Sequence, residues 1–244
     1  MKRALVFSNR NFKEMRRDVI SWVFCIGLPL VLLVVCKFIF SAIPDTPANF
    51  LLQNFSGGIL IFSFSFVMLF CGTLVAKDRA SSFLKRLYVS PMKAKDFILG
   101  YVVATLPIVL AQAVAVYALS FAFGLDFSWN ILLGILLSLP SAFMYISLGL
   151  LFGCLFNDKA VSGMSSLVLN VAALLSGMWF DLSMIGAGFS NAMHFLPFAN
   201  AVDVINFATA GLWGKVWLPL AITCIWAVVL FTLAVMTFSK KSKK

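Results

Sequence analysis

Six apolar runs, broken by a single charge, decide most of what this chain can become. They cover residues 19–40, 55–76, 97–123, 129–156, 160–180 and 216–238, and the one charge is Lys37 near the end of the first. A helix rises about 1.5 Å per residue, so a run of this length crosses a hydrocarbon core of about 30 Å. Strands of a membrane barrel would alternate apolar and polar positions, and these runs do not. Of the 244 residues, 62% are hydrophobic and 11% are charged, which is more apolar surface than a water-soluble domain can bury. The expected fold is all-α: a polytopic membrane protein with six transmembrane helices. Pro29, Pro107 and Pro140 fall inside runs one, three and four. Kinks are expected there, since neighbouring helices can satisfy the carbonyls that a proline frees.

Charge distribution orients the bundle. Six spans place both termini on one side, and that side gathers 17 of the 19 Lys and Arg residues: Lys2, Arg3, Arg10, Lys13, Arg16, Arg17, Lys77, Arg79, Lys85, Arg86, Lys93, Lys95, Lys159, Lys240, Lys241, Lys243 and Lys244. Lys37 and Lys215 remain for the other side. The positive-inside rule then puts both termini in the cytoplasm. The net charge of +10 reads as this topology signal and not as a nucleic-acid footprint. Residues 1–18 are expected to form a cytosolic amphipathic helix. Its Arg10, Lys13, Arg16 and Arg17 would meet the anionic headgroups of membrane lipids. Residues 181–215 are broken by Gly186, Gly188, Pro197 and Gly211 and carry Asp181, Asn200, Asp203 and Asn206. Each half is too short and polar to span, so an extracellular re-entrant or interfacial helical hairpin is expected, with an ordinary loop as the alternative.

Several kinds of chemistry are missing. Cys25, Cys36, Cys71, Cys154 and Cys224 lie in apolar runs without C-x-x-C or metal spacing, so they read as core residues with no disulfide. The first run follows 18 residues and precedes no small-x-small cleavage site, so it reads as an uncleaved span. There is no H-E-x-x-H and no G-x-S-x-G. No span carries an ionisable group at mid-depth, which an ion-coupled carrier needs. His194, the only histidine, reads as a packed or interfacial residue, because no partner for it is evident. No catalytic residue and no metal site are assigned. Without G-x-x-x-x-G-K-[ST] the chain cannot bind ATP through a P-loop. Ser63, Ser65, Gln112, Ser141 and Asn170 are candidates for lining a pathway, and interhelical hydrogen bonding explains them equally well.

The most distinctive stretch is the cytosolic loop 77–96, KDRASSFLKRLYVSPMKAKD. Phe83, Leu84, Leu87 and Tyr88 fall at i, i+1, i+4 and i+5, on one face of a helical turn, while Lys85 and Arg86 point elsewhere. Pro91 ends that turn and disfavours helical geometry at Ser90. A short amphipathic helix projecting from a bundle is a handle for a soluble partner. The plainer alternative is a helix lying on headgroups.

An exporter-like bundle with no energy source of its own and a docking handle resembles the ABC-2 type transporter permeases. Asp78, Ser81, Ser82, Phe83, Leu84, Lys85, Arg86, Leu87, Ser90, Pro91, Met92 and Lys93 are similar, in order, to that family's stretch between spans two and three. The family often has glycine where Ser81 or Ser82 stands, commonly glutamate in place of Asp78, and commonly lysine in place of Tyr101. The resemblance covers the whole chain, including the helix before span one and the polar-broken hairpin before span six. It implies a non-catalytic transport subunit. Residues Ser81 to Pro91 would dock on a separate P-loop ATPase that holds ATP and Mg. Two permease chains would pair, as a homodimer or a heterodimer, in a bacterial plasma membrane. The implied cargo is a hydrophobic or amphipathic drug, toxin or antimicrobial peptide, with lipid-linked polysaccharide as the runner-up. A passive channel or an immunity protein without an ATPase is the rival from another class.

Overall fold

The computed structural model describes residues 2–44, 46–81 and 94–241. Among the described residues every regular element is helical and there is no strand. The amphipathic helix α1 (Lys2–Arg17) precedes α2 (Val19–Ser41), α3 (Leu52–Ala80) and α4 (Ala94–Ala122). Then follow α5 (Trp129–Leu155), α6 (Asp158–Leu175), two short helices α7 (Ala187–Phe195) and α8 (Pro197–Thr209), and α9 (Trp213–Lys241). The docking stretch 82–93 lies outside the described residues.

Among the described residues five helices are long and apolar enough to cross a membrane: α2, α3, α4, α5 and α9. The fifth predicted run appears as α6, which is 18 residues long and opens on Asp158 and Lys159. Its N-cap, Asn157, accepts from the Ala160 N–H at 2.9 Å, which fixes where the helix starts. Run four is interrupted at Ser138, and Pro140 opens its second segment because proline fits a first helical turn. Pro29 follows a single π-helical turn, Val23–Gly27, inside α2. Pro107 and Pro219 lie within α4 and α9.

The bundle is organised around α3. Of its most apolar stretch 83% is buried, against 22% for α2 and for α9. It packs against α2, α4, α5, α6 and α8. Its tightest neighbour is α5, through a Gly149-x-x-x-Gly153 pair. A Cβ on Gly149 would collide with the Met68 carbonyl, and one on Gly153 would stand 2.5 Å from the Gly72 carbonyl. Small residues at this spacing let two membrane helices approach backbone to backbone. Phe64, Met68, Ile98, Tyr101 and Tyr145 fill the core around the crossing, each 2% exposed or less.

One polar side chain joins three helices inside this apolar core. Gln112 of α4 donates from Nε2 to the Cys25 carbonyl in the π turn of α2 and to the Ser63 carbonyl of α3, both at 2.9 Å. A π turn displaces carbonyls from their usual partners, and the amide supplies one of the missing donors.

Candidate functional site

The site begins where α3 ends. Asp78 lies in the last turn of α3 and is 2% exposed. A carboxylate buried this deeply must be satisfied by donors. Arg10 of α1 supplies Nη1, 2.9 Å from both Asp78 oxygens, and Tyr101 of α4 donates its hydroxyl to Oδ2 at 2.7 Å. Arg10 also donates to Asn11 Oδ1 at 2.9 Å and pairs with Glu14, one turn on, at 2.6 Å. Phe7 holds the arrangement in place: its ring packs edge-on against Phe97 and Tyr101, with centroids 5.5 and 5.1 Å apart. Apolar packing of Phe7 and Met15 thus seats α1 on α4, and the ion pair fixes its register.

The next residue ties α3 to a third neighbour. Arg79 donates from Nη1 to the carbonyls of Gly153 (2.6 Å) and Phe156 (3.2 Å). Phe156 caps α5 and Gly153 lies in its last turn, so a guanidinium sits on orphan carbonyls at the negative end of the helix dipole. Ser81 then closes α3. Its hydroxyl donates to the Asp78 carbonyl at 2.9 Å, its N–H bonds to the Lys77 carbonyl, and its backbone turns extended. Within four residues the C-terminal end of α3 is bonded to α1, α4 and α5.

Of the docking residues named from sequence, Ser81 is the one placed; Ser82, Phe83, Leu84, Lys85, Arg86, Leu87, Tyr88, Ser90 and Pro91 lie outside the described residues. Of the four basic residues assigned to headgroups, Lys13, Arg16 and Arg17 are exposed, whereas Arg10 is engaged by Asp78. The candidate pathway residues separate in the same way. Ser63, Ser65, Gln112 and Ser141 are each 1% exposed or less, inside the protomer. Asn170 is exposed on α6, on one face with Ser162 and Ser166.

Sequence reasoning missed the partners of Asp78. Arg10 lies 68 residues away, and no local spacing relates them. It also missed a partner for His194, which lies 3.0 Å from Asp203 across the α7–α8 turn. The nine-residue separation across Leu196-Pro197 was a usable signal, because a tight helical turn folds one residue back onto the other.

A bundle of long apolar helices, with a buried ion-paired cluster where α3 ends, is the architecture of a multi-pass membrane protein. Residues 3–209 match the ABC-2 type transporter family, and the chain belongs to that family. A curated relative, ABC transporter G family member 20 of Dictyostelium discoideum, is 25% identical over 203 residues, covering 81% of this chain and 27% of the relative. The chain therefore spans about a quarter of that protein's length. The family places the chain among multi-pass membrane components of ABC transporters. Asp78 and Tyr101, two of the positions at which the sequence differs from the pattern of the resemblance, are hydrogen-bonded to each other.

Proposed function

We propose that this chain is the membrane-spanning permease subunit of an ATP-driven exporter, worked by a separate P-loop ATPase that binds the loop 82–93. The observation that carries this reading is the root of that loop. Asp78 and Arg79, adjacent in sequence, bond α3 to α1 and α4 on one side and to α5 on the other. A push on the loop would therefore move four helices as one body, which is how a rigid-body transition is driven. ATP and Mg belong to the ATPase, and this chain performs no catalysis. In this reading α6 is the sixth span, both termini are cytoplasmic in a bacterial plasma membrane, and the helices α7 and α8 form an interfacial hairpin on the outer side. Lys13, Arg16 and Arg17 then lie at lipid headgroups.

The exposed face of α6 supports pairing with a second permease chain. Ser162, Ser166 and Asn170 are spaced four apart and exposed. Polar groups facing hydrocarbon are costly, so such a stripe belongs against protein or in a water-filled path. Apposed with a second copy or a homologous chain, it would wall the route for a hydrophobic or amphipathic cargo, with Asn170 at the pathway.

The test is co-purification. The chain in nanodiscs should retain a P-loop ATPase encoded beside it, and Leu87→Asp should abolish that retention while leaving insertion unchanged. Retention by the variant would remove docking through the 82–93 stretch, and no ATPase bound by the intact chain would remove the reading in favour of a passive channel.

A further inference from the structure

At the end of the bundle opposite α1 lies a polar cavity of about 180 Å³. Its wall includes Asn49, Asn54, Asp181, His194, Asp203 and Asn206. Among the described residues its ionisable side chains are Asp181, His194 and Asp203. His194 sits in the last turn of α7, and Asp203 is in the middle of α8.

Both ring nitrogens of His194 face acceptors. Nδ1 is 2.7 Å from the Ser190 carbonyl oxygen, and Nε2 is 3.0 Å from Asp203 Oδ2. A neutral imidazole has one N–H, so it cannot satisfy both. The geometry is complete only with one extra proton on the pair, as an imidazolium facing a carboxylate or as a neutral ring accepting from a protonated Asp203. Burial of Asp203 pushes its carboxyl above the usual range, and the charge and hydrogen bond of His194 pull it back. Asp181, held low by the Ser183 backbone N–H and hydroxyl, adds a negative charge on the same wall. From the packed elements α3, α5 and α6 no ionisable group lines the cavity. On α9 the charge at that end is Lys215, over the Phe207 ring at 5.9 Å.

The remaining ties at this turn do not titrate. Asn200, 2% exposed, donates to the His194 and Leu196 carbonyls at 2.6 Å, and Trp226 of α9 donates to the Phe195 carbonyl at 3.1 Å. They hold the backbone where α7 ends. The body of α7 has no buried residue and rests on the turn Leu182–Met184 as well as on α8, so the side-chain pair is one of few ties that set its angle.

We propose that His194 and Asp203 form a proton-binding site that fixes α7 on α8, so that a proton taken from solution sets the position of this helix. His194 is 42% exposed, which gives the proton a route. The folded pair binds a proton more tightly than the separated groups do. Its contribution is therefore complete where the extra proton is bound and is lost as rising pH removes it. Without that proton the neutral ring can serve only one of its two acceptors, which loosens α7 on α8.

The single histidine makes the test clean. In the full chain in nanodiscs, ring-nitrogen NMR of labelled histidine should show both nitrogens protonated, or a proton shared with Asp203, at pH 5.5, and one unshared N–H at pH 9. Asp203→Asn should lower the proton affinity of the site about tenfold. In a cysteine-free background, spin labels at Ala192 and Leu212 should report one narrow distance at pH 5.5 and a broad distribution at pH 9. Asp203→Asn should be broad at both. A titration unmoved by Asp203→Asn, or a distance distribution that does not change with pH in the parent, would overturn the proposal. None of these measurements depends on the transport reading.

Discussion

The two ends of the bundle each carry a carboxylate held by a basic side chain of a neighbouring helix, and the two pairs are held very differently. Arg10–Asp78 sits at the α1 end with the carboxylate 3% exposed, three donated hydrogen bonds and an aromatic wall. His194–Asp203 sits at the other end, 42% and 26% exposed, with one contact between the partners. The first joins long helices that are themselves packed to the core; the second holds a nine-residue helix with no buried residue. A well-satisfied buried pair acts as a rivet, because breaking it strands a charge in a poorly polarisable site. A half-exposed pair contributes under about 1 kcal/mol and can be opened by a change in solution. One end is therefore held by a buried, fully donated pair and the other by a half-exposed one.

Removing each partner should separate the two ends clearly. Arg10→Ala leaves the Asp78 carboxylate buried with Tyr101 as its donor, and should destabilise the protein by about 3 kcal/mol. Asp78→Ala should cost less, about 1–2 kcal/mol, because Arg10 is 36% exposed and can reach water. Thermal unfolding of both variants in one detergent checks the order, and a reversed order would break the description of this end as a rivet.

The helix crossing beneath the rivet should be nearly as sensitive. Gly153→Ala places a methyl against the Gly72 carbonyl and should cost about 1–3 kcal/mol by overpacking. Gly188→Ala, in open space on α7, should change stability by less than about 0.5 kcal/mol. Equal effects at the two glycines would contradict the contrast between a packed end and a yielding one.

The hairpin's backbone tie and its side-chain pair should differ from each other. Asn200→Ala frees two carbonyls at the end of α7 and should cost about 1–2 kcal/mol. His194→Gln should cost under about 1 kcal/mol at pH 6 and nothing at pH 9. Unfolding at the two pH values reads the difference directly.

Much of this was legible in the sequence. The charge-free runs announced the helices, and the breaks at Ser138 and Leu196-Pro197 follow from proline chemistry. Residues 160–180 were harder, because Ser162, Ser166 and Asn170 dilute the apolar signal of α6 for a reason that concerns its exposed face. The Gly149-x-x-x-Gly153 spacing was readable too, but it marks a crossing within the chain as readily as one between chains. Hydrogen-bonding residues were the least legible. Gln112 and Asn170 look alike in sequence, yet one is sealed among three helices and the other is exposed. The Arg10–Asp78–Tyr101 cluster exists only once α1 has packed on α4, so no periodicity could reveal it.

The central claim is that motion at the loop 82–93 reaches the spans through Asp78 and Arg79. It is tested most directly by distance measurement in the assembled complex. Spin labels at Lys13→Cys on α1 and Ser162→Cys on α6, in a cysteine-free chain bound to its ATPase in nanodiscs, would be read before and after vanadate trapping with ATP and Mg. The account predicts a shifted distance in the parent and none in Arg10→Ala, although the ATPase remains bound and hydrolyses ATP. An unchanged distance in the parent, or the same shift in Arg10→Ala, would contradict it.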